Sequence, residues 1–224
     1  MLFWFCCSTW VTLNFFVCVF ADPNELELWE KSIRHLLHHF QDKYGLATLA
    51  KWNFETWNEP DHKIHMRFSK QSYRNYLKAT WSAFNAMNAA RRKKSKKLRF
   101  GGPAGSCRSP NFVEMCKTFL QFCKQVRMQS IHFVSFHRKG HAEVDSIVQD
   151  ELEKTLPFLS KELNISTYAS REISIFNDEA DPLKAWWKPQ LWRATVAYPA
   201  LVARSIHYLV FKLKRERKQN HYLE

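Results

Sequence analysis

The chain has 224 residues, of which 46% are hydrophobic and 15% aromatic. This length and composition allow a substantial buried core, so the chain need not be disordered, and one globular domain is expected. Thirty-four Lys and Arg side chains against 21 Asp and Glu give a formal net charge of +13. That balance favours polyanionic partners, such as nucleic acid, anionic lipid or acidic polysaccharide, without choosing among them.

The first 21 residues form an apolar segment without a charged side chain, and charges begin at Asp22. We predict that residues 1–21 are a targeting or membrane segment outside the folded domain. Val19-Phe20-Ala21 resembles a signal peptidase site, and the stretch barely reaches the roughly 20 residues that span a bilayer. A cleaved signal peptide is the first interpretation and an uncleaved anchor, which would make the membrane a partner, is the second. Both direct the chain into the secretory pathway, where Asn164 in Asn-Ile-Ser would accept an N-glycan.

Three cysteines lie outside this segment, namely Cys107, Cys116 and Cys123. Their number is odd and no CxxC pair occurs, so the sequence predicts neither a disulfide framework nor a zinc site. Cys116 and Cys123 are seven residues apart, which places them on one face of a helix as small core residues.

The first predicted helix runs from Glu25 to Tyr44, because apolar residues recur every three or four positions and Gly45 follows as a stop. His35 and His39 lie one turn apart on this helix. No HExxH pattern surrounds them and no carboxylate is placed to complete a site, so we predict no metal there.

A short strand at residues 51–56 leads into Asn58-Glu59-Pro60, and a second helix is predicted from Ser69 to Ala90. The basic run RRKKSKKLR follows at residues 91–99. Taken alone, it indicates a nuclear address or a nucleic-acid patch. Cations at a helix C-terminus also favour the helix dipole, and the secretory N-terminus contradicts a nuclear address. We therefore interpret the run as a solvated turn and predict no nucleic-acid partner.

The remaining elements alternate in the same way. Strands are predicted at residues 98–106, 130–136 and 172–182; the second ends at His137-Arg138-Lys139-Gly140 and the third at Glu179. Helices are predicted at residues 111–128, 144–162 and 189–211, with a bend at Pro199. Residues 212–224 are predicted to be a solvated basic tail.

Four strands thus alternate with helices, which is the pattern of βα units around a parallel sheet. In such folds, polar groups at the carboxyl ends of the strands gather on one rim, where chemistry is done. Five residues hold such positions: Asn58, Glu59, His137, Lys139 and Glu179. Paired glutamates are what glycoside hydrolysis requires, since one protonates the leaving oxygen while the other meets the developing positive charge. A single glutamate could instead cap a helix, but two in matching contexts favour an active site.

Four motifs, in the order NFETWNEPDH, LRFGGPAGS, FVSFHRKG and IFNDEADPLKAWWKPQLWRA, closely resemble the α-L-iduronidases of glycoside hydrolase family 39. The resemblance extends from about residue 22 to about residue 207. The resemblance implies a (β/α)8 barrel with the acid/base on strand four and the nucleophile on strand seven. It also implies that this chain begins at the helix before strand four and ends in the helix after strand seven.

The resemblance makes Glu59 the general acid/base and Glu179 the nucleophile of a retaining glycosidase, with carboxyl groups about 5 to 5.5 Å apart. Asn58 would bond the sugar hydroxyl beside the anomeric carbon, while Lys139 and His137 would hold the uronate carboxylate. The family has a glycine six residues after the nucleophile, and this chain has Ala185 there, whose backbone N–H survives the change. Substrates would be terminal α-L-iduronic acid residues of dermatan sulfate and heparan sulfate, in a lysosome. No metal or organic cofactor is implied.

A complete barrel needs about 250 residues, so this chain has room for about four of the eight βα units. We predict an α/β fold of the (β/α)8 type, an incomplete barrel with an N-terminal hydrophobic leader. The predicted divisions are residues 1–21 as signal peptide or membrane anchor, 22–211 as partial barrel and 212–224 as basic tail. An open four-stranded sheet would leave two unpaired edges, so the alternative function is a catalytically inactive relative that binds acidic glycans.

Overall fold

The computed structural model of the protein describes residues 2–4, 20–62, 69–90, 96–108, 113–126, 131–140, 147, 150–163, 173–181 and 188–220. These residues fall into two compact units. The first comprises Met1–Phe136 with Glu172–Phe176, and the second comprises His137–Arg171 with Asn177–Glu224.

A five-stranded sheet forms the centre of the first unit, and its strands lie side by side in the order in which the chain makes them. The strands are β1 (Leu2–Trp4), β2 (Asn53–Glu55), β3 (Arg99–Gly105), β4 (Phe133–Phe136) and β5 (Ser174–Asn177). The pairings of β1 with β2, β2 with β3 and β3 with β4 are parallel. The predicted parallel sheet is therefore confirmed, and the four predicted strands contain β2 to β5.

Strand β1 was not predicted, because its residues belong to the apolar segment that we interpret as a leader. Leu2 pairs with Asn53 and Trp4 with Glu55, so the first residues of the chain extend the sheet beside β2. Residues 5–19 lie outside the described part of the chain, and cleavage or anchoring of residues 1–21 stays a prediction. None of the helices that the structure describes is long and apolar enough to cross a membrane.

The helices of the first unit are α1 (Pro23–Tyr44), α2 (Leu46–Leu49), α3 (Lys70–Ala89) and α4 (Glu114–Gln125). Helix α1 begins where the Asp22 carboxylate accepts a hydrogen bond from the Asn24 N–H at 2.8 Å, a standard N-cap. Ser69 caps α3 in the same way, through the Ser72 N–H at 3.1 Å. These caps confirm the predicted starts to within a few residues. Residues 91–95, most of the basic run, lie outside the described residues.

Aromatic side chains hold α3 against the sheet. Phe84 of α3 lies between Phe54 of β2 and Phe100 of β3, with ring centroids 5.2 and 4.8 Å away. All three rings are fully buried, and burying one phenylalanine contributes about 1.5 to 3 kcal/mol. This packing fixes the direction of the neighbouring strands β2 and β3, whose carboxyl ends lead to the predicted site.

The first unit contains a disulfide between Cys107 and Cys116, with their Cα atoms 5.3 Å apart. The prediction that no disulfide is indicated was therefore wrong. The number and spacing of the cysteines did not indicate the pair. Cys107 follows β3 and Cys116 lies in the first turn of α4, and only the fold brings these two positions together. The prediction that Cys123 is a core residue is confirmed, since it is fully buried and its burial raises the pKa of its thiol.

In the second unit, a π-helical turn (Glu151–Thr155) leads into α5 (Leu156–Leu163), and a 3₁₀ turn (Leu191–Ala194) precedes α6 (Ala197–Asn220). The last helix begins later than the predicted residue 189, so Pro199 lies in its first turn. Proline is tolerated there, whereas the predicted bend assumed a helix that already ran from residue 189. Helix α6 also continues through the predicted basic tail as far as Asn220, because Lys and Arg are good helix formers.

Candidate active site

The first group of predicted site residues follows β2. Trp57, just after the strand, is buried and meets Tyr76 of α3 edge to face, with ring centroids 5.3 Å apart. Asn58 and Glu59 come next and are half-buried. The backbone of Glu59 is left-handed, with φ at 48°, and its N–H donates to the carbonyl oxygen of Ala104 at 2.8 Å. The turn that carries Glu59 is thus bonded to the end of β3.

Asp61 joins the same two chain segments through its side chain. Its carboxylate accepts a hydrogen bond from the Ser106 N–H at 2.8 Å. A Cβ atom at Gly105 would lie 3.1 Å from the other carboxylate oxygen, so any larger residue there would press on Asp61. The segments that follow β2 and β3 are therefore bonded to each other at both Glu59 and Asp61.

The second group follows β4 and β5. The Asn177 side chain accepts from the Arg138 N–H at 3.0 Å and donates to the Arg138 carbonyl at 3.1 Å. One step further, the Gly140 N–H donates to the Asp181 carbonyl at 2.7 Å. These bonds hold the segment after β4 alongside the segment after β5, so that His137 and Lys139 meet Glu179.

Glu179 carries two cationic or potentially cationic partners. Its Oε2 atom lies 3.0 Å from His137 Nδ1 and 2.7 Å from Lys139 Nζ. The hydrogen bond from His137 is the largest influence on this carboxyl and lowers its pKa; partial burial opposes it, and Lys139 lowers it further. Together they bring the pKa of Glu179 to about 2. The group is therefore an ionised carboxylate at any ordinary pH, which is the state that a nucleophile needs.

Several residues around this second group were not predicted from the sequence. Asp178 is almost fully covered and places Oδ1 3.6 Å from Nε2 of His137, on the far side of the imidazole from Glu179. Arg138 is buried and donates from Nε to Thr155 Oγ1 at 3.1 Å, so it is a structural residue despite its place in a basic motif. Asn177 and Asp178 directly precede Glu179, and their place beside the carboxylate was the available signal.

Arg193 is a further residue that the sequence did not single out. One guanidinium nitrogen, Nη2, donates to both carboxylate oxygens of Asp181, at 3.1 and 3.3 Å, and this charge-assisted contact ties the turn after β5 to the 3₁₀ turn. Two predicted site residues, Ala185 and the glycosylation candidate Asn164, lie outside the residues that the structure describes. Their proposed roles stay predictions.

Comparison with known proteins places the chain in a family. The profile of the family described as glycosyl hydrolases family 39 matches residues 7–213, beginning within the apolar N-terminal segment. Human α-L-iduronidase is 32% identical over 196 residues, covering 84% of this chain and 28% of that enzyme. The dog enzyme of the same name matches with the same identity and the same coverage.

A solved structure agrees with these matches. A bacterial orthologue of human α-L-iduronidase superposes with a TM-score of 0.65 at 21% identity, over 84% of this chain and 31% of that one. This likeness shows the fold, an α/β arrangement similar to that of family 39 barrel enzymes. The chain spans less than a third of the length of each of these proteins. With a profile match over most of its residues, the chain belongs to glycosyl hydrolase family 39.

Proposed function

We propose that the protein hydrolyses terminal α-L-iduronic acid residues of glycosaminoglycans, dermatan sulfate and heparan sulfate, by a retaining mechanism. Glu179 is the nucleophile and Glu59 the general acid/base. The observation that carries the proposal is the Glu179 carboxylate, held ionised by His137 and Lys139 directly after β5. By its resemblance to the iduronidases, the protein works in the lysosome after entering the secretory pathway.

The first chemical step forms a covalent bond between Glu179 and the anomeric carbon. A carboxylate with a pKa of about 2 is in roughly hundredfold excess over its protonated form at pH 4, so an acidic compartment does not switch it off. His137 and Lys139 also disperse its negative charge, and hold the attacking oxygen in one place. The attack breaks the bond to the leaving oxygen and gives a glycosyl ester of Glu179.

Glu59 supplies the proton that the leaving oxygen needs. It then accepts a proton from the water that releases the sugar from Glu179, which restores both carboxyl groups. Asn58, the preceding residue, binds the hydroxyl next to the anomeric carbon, a contact that strengthens in the transition state. This division of roles requires the two carboxyl groups to lie about 5 to 5.5 Å apart when substrate is bound.

The uronate group of the substrate is assigned to Lys139 and His137. Lys139 bonds Glu179 in the structure, so an entering uronate would share this ammonium with the nucleophile. A Lys side chain suits such sharing, because its three donors sit on a compact, rotatable head. The net charge of +13 supports a polyanionic substrate.

A second candidate function is a catalytically inactive relative that binds acidic glycans through its basic surface. The observation that favours it is the net charge of +13, which suits an acidic glycan whether or not hydrolysis follows. Both candidates bind glycosaminoglycans, and only the first needs Glu59 and Glu179.

The test is turnover of a fluorogenic aryl α-L-iduronide at acidic pH, followed by the full chain and by Glu59→Gln and Glu179→Gln. Loss of a nucleophile or acid/base typically costs about a thousandfold or more in kcat. Glu27→Gln is the matched control, since this exposed glutamate of α1 lies far along the chain from the site and pairs with Lys31. Unchanged turnover in both active-site variants would refute the assignment. Salt-sensitive heparin retention by all forms, with no turnover by any, would identify the inactive relative.

A further inference from the structure

Three hydrogen bonds connect the backbone of Glu59 to a buried carboxyl group on β2. The Glu59 N–H donates to the Ala104 carbonyl at 2.8 Å, and the Ala104 N–H donates to Ser135 Oγ at 3.1 Å. The Ser135 hydroxyl in turn donates to Glu55 Oε1. The chain of bonds thus crosses from β2 through β3 to β4 and returns to β2, four residues before Glu59.

The two residues at the top of this chain have backbones that need support. Glu59 and Ala104 both adopt left-handed conformations, with φ at 48° and 53°. Such a conformation is unfavourable for a residue with a side chain and persists only where surrounding contacts enforce it. The hydrogen bond between the two residues is one such contact, and it depends on where Ala104 is held.

Ser135 is the residue that holds Ala104. The Ser135 oxygen accepts a hydrogen bond from the Ala104 N–H, and the Ser135 hydroxyl donates its one proton to Glu55. Ser135, Glu55 and Ala104 are all fully buried, so water cannot replace a lost partner. Leaving a buried N–H without an acceptor is unfavourable, and the backbone would move to avoid it.

We propose that Ser135, with its hydroxyl oriented by Glu55, is a positioning residue that fixes the backbone of Glu59 and thereby the carboxyl group that protonates the leaving oxygen. The inference rests on the proposed function for the role of Glu59, but the bonds themselves do not depend on it. Displacing a catalytic group by about 1 Å can cost about a hundredfold in rate, so a small backbone shift is enough to matter.

Three variants test the proposal in the full chain. Ser135→Ala removes the acceptor of the Ala104 N–H. Glu55→Gln is the conservative variant, because it keeps an acceptor oxygen for the Ser135 hydroxyl. Thr118→Val is the matched control, because it removes another buried hydroxyl of the first unit, one that bonds only within α4 at 2.8 Å to the Glu114 carbonyl.

The first measurement is amide hydrogen exchange at single-residue resolution, which needs no activity. We expect Ser135→Ala to speed exchange at Glu59 and Ala104 by about tenfold or more, while Glu55→Gln and Thr118→Val leave both amides protected. Unchanged protection of Glu59 in Ser135→Ala overturns the inference. So does equal loss of protection in Ser135→Ala and Thr118→Val, which would reflect a general loosening of the fold.

The second measurement is kcat/KM for aryl iduronides whose leaving groups differ in basicity. Misplacing the acid should lower kcat/KM about tenfold for a basic phenol and hardly at all for dinitrophenol, which leaves without protonation. An equal loss for both leaving groups overturns the positioning role even if exchange is faster. If the unmodified chain turns over neither substrate, the proposed function fails, and the exchange measurement alone decides whether Ser135 fixes Glu59.

Discussion

Breaking the disulfide between Cys107 and Cys116 should destabilise the first unit in a way that can be calculated. Both cysteines are buried, and they join the turn after β3 to the first turn of α4. The change is made by the double substitution Cys107→Ala and Cys116→Ala, which leaves no new thiol, or by reduction of the unmodified chain.

The magnitude follows from the size of the loop that the bond closes. The cysteines are separated by nine positions in the sequence. The loop-closure relation then gives an entropy of about 8.7 cal/mol/K, or about 2.6 kcal/mol at 25 °C, lost by the unfolded chain when the bond forms. Removing the bond should therefore lower the free energy of unfolding by about 2.6 kcal/mol. The N–H of Ser106, next to Cys107, donates to the Asp61 carboxylate, so the contact between the segments after β2 and β3 should loosen as well.

The assay is urea unfolding followed by tryptophan fluorescence, with and without a thiol reductant. The unmodified chain should lose about 2.6 kcal/mol on reduction, whereas the double variant should start that much lower and not respond. Cys123→Ala is the control, because this buried thiol is free and its loss should leave the response to reductant intact. A reductant that leaves the unfolding midpoint of the unmodified chain unchanged would refute the reasoning.

Two further predictions concern charge and packing. Lys139→Met should raise the pKa of Glu179 from about 2 towards its ordinary 4.5, as measured by carboxyl NMR. His137 should keep the pKa below 4.5 in this variant. An unchanged pKa would show that Lys139 exerts no influence. The pKa of Glu179 is lower in the folded chain than in the unfolded chain, so its stabilisation is present above about pH 4.5 and is lost as the pH falls towards 2. Lys139→Met should therefore lose less stability than the unmodified chain between pH 4.5 and pH 2. Phe20→Ala should cost about 3 kcal/mol in urea unfolding, since this buried ring packs on Trp29 and Tyr76, whereas the exposed Leu28→Ala should cost under about 0.5 kcal/mol. Equal costs for Phe20→Ala and Leu28→Ala would contradict that packing.

The sequence predicted the parallel sheet and the meeting of His137, Lys139 and Glu179, because periodic apolar residues determine strand and helix and polar residues at strand ends share a rim. It could not predict the left-handed backbones of Glu59 and Ala104. Local preference opposes positive φ for both residue types, and tertiary hydrogen bonds override it.

Other features were ambiguous in the sequence for different physical reasons. An uncharged apolar run has the composition of a leader and equally that of a buried parallel strand, so β1 (Leu2–Trp4) was not predicted. The basic run after Phe211 was interpreted as a tail because of its charge, although Lys and Arg favour helices. Asp178 was missed because its importance comes from its distance to His137, which only the fold determines.

The burial of Phe20 bears on the predicted cleavage of residues 1–21. Its ring is buried, and its carbonyl accepts a hydrogen bond from Asn75 Nδ2 of α3 at 2.9 Å. If the predicted cleavage after Ala21 takes place, the mature chain lacks Phe20, and Trp29, Tyr76 and Asn75 lose this partner. A cleaved chain should then unfold at a lower urea concentration than an uncleaved one.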